Sequence, residues 1–118
     1  MATRQAADIR LQHPATEKQL RQPVVEVDSI EWRNVEYRFQ PPLCLKRSKM
    51  HGHVVFENQD LSLYAFGKSD EDALKALARD FAAVWGGIAE EEDYKLETMA
   101  RSLKKRLRKA VVSIWRKV

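Results

Sequence analysis

Between Val25 and Phe39 apolar side chains fall at Val25, Val27, Ile30, Trp32, Val35, Tyr37 and Phe39, with charged residues interspersed. That alternation is the pattern of half-buried β-strand, one side chain in and the next out. Pro41-Pro42 is expected to stop it, because proline removes a ladder donor. A short strand over Leu43–Lys46 follows, then a basic turn around Lys49. A third strand carries His53-Val54-Val55-Phe56 into the turn Asn58-Gln59-Asp60, and a fourth runs from Leu61 to Phe66 and ends at Gly67. Connections this short join antiparallel neighbours.

After Gly67 the period changes. Ser69 is placed to cap a helix, with Asp72 three residues on as an acidic variant of the capping box. Leu74, Leu77, Ala78, Phe81, Val84, Trp85 and Ile88 then recur every three or four residues, an apolar stripe able to cover a sheet face. Gly86-Gly87 stops or breaks it. Beyond, Leu96, Ala100, Leu103, Leu107, Ala110 and Ile114 alternate spacings of four and three, a heptad-like seam widened by Met99, Val111 and Trp115. The expected fold is α+β: an antiparallel three- to four-stranded β-meander followed by two helices, the last long, basic and amphipathic. Residues 1–22 read as a flexible N-terminal arm. Residues 23–118 read as a single domain with its sheet over 24–67 and helices over 69–86 and 89–117.

A chain of 118 residues, 44% hydrophobic and 32% charged, is enough for one domain with a real core. The single cysteine, Cys44, closes no intrachain disulfide, and no charged-then-apolar leader is read at the start, so a cytoplasmic location is expected. Apolar runs fall well short of the roughly 20 residues that cross a bilayer, and no membrane association is expected. The net charge of +4 hides a gradient. Acids at Glu90–Asp93 and Glu97 give way to cations from Arg101 to Lys117, an order that suits a helix macrodipole.

Around Gly67-Lys68-Ser69-Asp70-Glu71-Asp72-Ala73 the chain resembles HicB-like antitoxin domains, in which a last strand turns into a helix through a Gly-x-Ser/Thr-x-x-Glu-Ala type junction. Gly52-His53-Val54-Val55 and Asp60-Leu61 resemble the strand and turn before it, and the likeness covers about residues 35–88. The resemblance implies a three-stranded meander packed by a helix. It also implies a non-catalytic module that binds and occludes a small RNA-cleaving toxin. Trp32, Tyr37 and Tyr64 are candidates to anchor such a partner, with a core role as the alternative for each. The C-terminal region reads as one long helix and not as an operator-binding motif.

Two other readings stand beside this one. Arg101, Lys104, Lys105, Arg108 and Lys109 are candidates for phosphate contacts in a nucleic-acid-binding protein, the alternative being a solvated helix face. The seam offers Leu107, Ile114 and Trp115 for a homodimer, in competition with packing on the chain's own sheet. No catalytic activity, cofactor or metal is expected. His51-Gly52-His53 has no cysteine or aspartate at a ligand spacing, and Cys44 between Leu43 and Leu45 reads as a small hydrophobe. No glycine-rich phosphate loop is present.

Overall fold

The computed structural model describes residues 7–11 and 24–117, the first of these as backbone. Its core is an antiparallel sheet followed by two helices, the expected α+β arrangement. Six strands take part: β1 (Ala7–Leu11), β2 (Val24–Trp32), β3 (Val35–Met50), β4 (His53–Asn58), β5 (Leu63–Gly67) and β6 (Val111–Arg116). The first five form a meander in chain order, and β6 pairs with β3.

The long alternating stretch is two strands. A turn at Arg33-Asn34, with φ of 49° and 67°, reverses the chain between Trp32 and Val35. Both central residues are left-handed, as a two-residue hairpin turn requires. Pro41 and Pro42 do not stop the strand; β3 runs through them to Met50. They fit because the ladder is interrupted there: Val27 pairs with Leu43 and Ser29 with Arg38, leaving Asp28 opposite Phe39–Pro42. Such a bulge is where a sheet tolerates residues that cannot donate. The bend divides β3 into halves. Val35–Phe39 pairs with β6, whereas Lys46–Met50 pairs with β4 on the same side further along. The fourth expected strand begins two residues late, at Leu63, because Leu61 and Ser62 lie in the turn.

Within the arm expected to be flexible, Ala7–Leu11 is strand, paired antiparallel with Trp32–Val27 of β2. The remainder of that arm lies outside the described residues.

α1 spans Asp70–Val84, and the Asp72 N–H donates to Ser69 Oγ at 3.2 Å, the expected cap. Gly86-Gly87 does not end the helical path. The chain widens into a π-helical turn over Trp85–Ala89, and a 3-10 turn over Asp93–Lys95 follows. α1 lays Leu77, Ala78 and Phe81 on the inner sheet face, where Phe81 meets Tyr37 edge-on at 5.0 Å and Phe39 at 5.4 Å. Edge-on aromatic pairs of this kind add to the burial of their area.

The second helix is shorter than its sequence period suggests. α2 covers Thr98–Ala110, and what was expected as the end of an 89–117 helix is strand β6. Val111, Val112 and Ile114 are β-branched and favour extended backbone, and the first half of β3 has an open side to receive them. Only Val111 and Ile114 turn inward, to join the core. The acids at Glu90–Asp93 precede α2, and its first turn contains no acidic residue. The macrodipole argument therefore holds for Glu97 at the N-cap and for Arg108 and Lys109 in the last turn.

Candidate interaction surfaces

The three aromatic anchor candidates part company. Tyr37 is 6% exposed in the core, and burial pushes its phenol above the ordinary range, with Glu90 adding to the effect. Trp32 packs against the core edge under the Arg33 guanidinium, 5.4 Å from its ring centre. Tyr64 alone is open, at 50% exposure.

It has a neighbour that the sequence reading treated only as a strand end. On β5, Leu63 and Ala65 point inward and Tyr64 and Phe66 outward. Phe66 is 59% exposed, 6.5 Å from the Tyr64 ring and edge-on to His53 at 5.7 Å. Cross-strand pairing sets Phe66 beside Val55, and Tyr64 beside Glu57. The result is an aromatic patch on the outer sheet face, the face opposite the one that α1 covers. β5 is also the last strand of the meander, so among the described residues one side of its ladder is unpaired. A hollow of about 330 Å³ runs between Ser62–Tyr64 and Asp80, Ala83 and Val84 of α1.

The basic residues of α2 have mostly found partners at home. Arg101 Nε donates to the Asp93 carbonyl at 2.9 Å, and Arg108 Nε to the Ala89 carbonyl at 2.9 Å. Lys104 Nζ reaches the Glu91 carbonyl at 2.6 Å and the Asp93 carboxylate at 2.8 Å. That hydrogen bond, with the lysine's charge, holds the Asp93 carboxyl below the ordinary aspartate range. The Ala89 carbonyl ends the helical run that began with α1, whose own last turn has no basic residue, and those of Glu91 and Asp93 lie in the connection just beyond it. α2 supplies the cations at that negative pole from outside the helix. Of the five phosphate-contact candidates, Lys105 and Lys109 remain exposed without a side-chain partner among the described residues.

The dimer candidates do not share a seam. Leu107 is fully buried in the chain's own core, and Ile114 packs against that core from β6. Trp115 is 55% exposed on the other face of β6, with the Arg38 guanidinium 5.2 Å from its ring centre. Near it lies a buried polar network: Glu36 accepts from Ser29 Oγ at 3.1 Å and from Arg38 Nη2 at 3.3 Å, and Glu31 from Lys117 Nζ at 2.6 Å. The Lys117 bond ties the chain just after β6 to the β2–β3 hairpin, as does the Lys117 N–H, which donates to the Asn34 carbonyl at 2.7 Å.

Among the described residues no cluster of histidine, cysteine and carboxylate side chains is arranged to hold a metal, and no helix is long and apolar enough to cross a membrane. His51 and His53 meet through one contact, His53 Nδ1 to the His51 carbonyl oxygen at 3.2 Å. The architecture defines the class, an α+β domain whose sheet is covered by a helix on its inner face. Known protein families, curated proteins and solved structures gave no match to this chain.

Proposed function

We propose that this chain is a non-catalytic interaction module that binds a protein partner along β5. One observation carries the reading: Tyr64 and Phe66 stand side by side, half exposed, on a strand whose outer side is unpaired. An open strand edge offers backbone donors and acceptors to an added strand, and aromatic side chains are the commonest anchors of protein contacts. The hollow beside Ala83 and Val84 supports it, since an added strand would have an apolar shoulder to pack on. In the antitoxin-like form of this reading the partner is a small RNA-cleaving protein. Docking along β5 would cover its active surface, and this chain needs no reactive group of its own.

A photoreactive benzoylphenylalanine at position 66, with a control at exposed Glu71 on α1, tests the proposal in cells of the native host. A discrete protein adduct at 66, absent at 71 and lost with Tyr64→Ser, is the expected result. Equal labelling at both positions would count against β5 as the contact surface. An adduct of twice the chain's mass would make the partner a second copy.

A further inference from the structure

Where β3 bends, its residues face the β4–β5 turn and the end of α2 across a groove of about 610 Å³. We infer that this groove binds a small amphipathic carboxylate, an aliphatic body with a single anionic head. The assignment is independent of the β5 surface.

The volume lies within the range of small-molecule sites, roughly 300–1,000 Å³. Phe39, Leu43 and Leu61 give it an apolar lining, and all three are nearly buried, so they are fixed in place by the core. Pro41 and Pro42 complete that side. Prolines have no N–H to donate, so an extended peptide laid along Pro41-Pro42 would find no backbone donor there for its own carbonyls. An aliphatic chain has no such groups to satisfy.

The head is chosen by α2. Lys109 lines the groove with no side-chain partner among the described residues. Arg106 is held at two points, Nε to the Asp60 carbonyl at 2.7 Å and Nη1 to Ser102 Oγ at 2.6 Å. Its Nη2 is left over, already oriented. An ammonium and a pre-set guanidinium together recognise an anion through charge-assisted hydrogen bonds. Asp60 also lines the groove. With Arg106 and Lys109 it leaves the lining a net of about one positive charge, which a singly charged head neutralises.

Octanoate titrated into the isotope-labelled full chain tests the inference, with octanol as the uncharged control. Saturating amide shifts are expected at Leu43, Leu61 and Lys109, with octanoate bound about tenfold tighter than octanol. Lys109→Gln should bring the two ligands to similar affinity while leaving the rest of the spectrum unchanged. Cys44, the chain's one thiol, is exposed and lines the groove, so octanoate should also slow its alkylation. Equal affinity for octanoate and octanol, shifts elsewhere, or tighter binding of acetyl-Leu-Val-Asp would each overturn the assignment.

Discussion

Gly67 and Ser69 lie two positions apart and act on the same junction by different means. Ser69 satisfies one of the donors that every helix start leaves over, so Ser69→Ala should cost about 1 kcal/mol. Gly67 is needed for space: a Cβ there would lie 2.5 Å from the Ala73 nitrogen and 2.7 Å from the Asp72 carbonyl carbon, both backbone atoms. Gly67→Ala should therefore cost more, about 1–3 kcal/mol, because β5 and α1 would have to separate. Denaturant midpoints of the two variants check the ordering, and equal losses would refute the steric account. This junction was legible because each residue there has a local reason. The Arg33-Asn34 turn was also visible, in a form easily passed over. The step from Trp32 to Val35 is three where a continuous strand needs two, and so is the step from Val27 to Ile30, which marks the bulge at Asp28. Tyr64 showed itself as an aromatic on a strand. Phe66 needed the contrast with small Ala65 to show that the aromatic side of β5 is the outer one.

Among elements, α2 shows what a charge run can conceal. Arg108 holds the carbonyl that ends the preceding helical run and Lys104 one in the connection after it, so Lys104→Gln with Arg108→Gln should lower stability by about 1–3 kcal/mol. Lys105→Glu with Lys109→Glu touches no such contact and should leave it within about 0.5 kcal/mol. Thermal melts of the two pairs distinguish anchoring cations from solvated ones, and the second pair is the cleaner test of phosphate contacts. The acid response follows from the same bond. Asp93 has a lowered pKa when folded, so its tie to Lys104 is intact above about pH 3.9 and is lost as pH falls through the lower folded value. A carboxyl-carbon titration should place Asp93 below ordinary aspartates, and Lys104→Gln should return it to their range. The sequence showed the cations but not their acceptors, since backbone carbonyls leave no mark in residue types. It hid β6 for another reason. Leu103, Leu107, Ala110 and Ile114 keep helical spacing into the strand, and only the β-branched run Val111-Val112 betrays the change of period. The groove was beyond reach, because three segments distant in sequence assemble it.

At the scale of the molecule, β6 completes the sheet beside the first half of β3, and its inward residues close the core over Tyr37 and Phe39. Val111→Ala with Ile114→Ala should cost about 2–5 kcal/mol, whereas Val112→Thr, on the exposed bulge, should change stability by less than about 0.5 kcal/mol. Hydrogen exchange on Val35–Phe39 reads the consequence directly: protection there should drop in the double variant and persist in the single one. The position of β6 also bears on how the protein is made. At about 5–20 residues per second, several seconds of synthesis separate Met50 from Val111. Throughout that interval the first half of β3 exists without the strand that pairs with its far side. A nascent chain in this condition displays an unfilled ladder next to Tyr37 and Phe39, the kind of surface that holding chaperones shield, and its sheet is completed only once nearly the whole domain has left the ribosome.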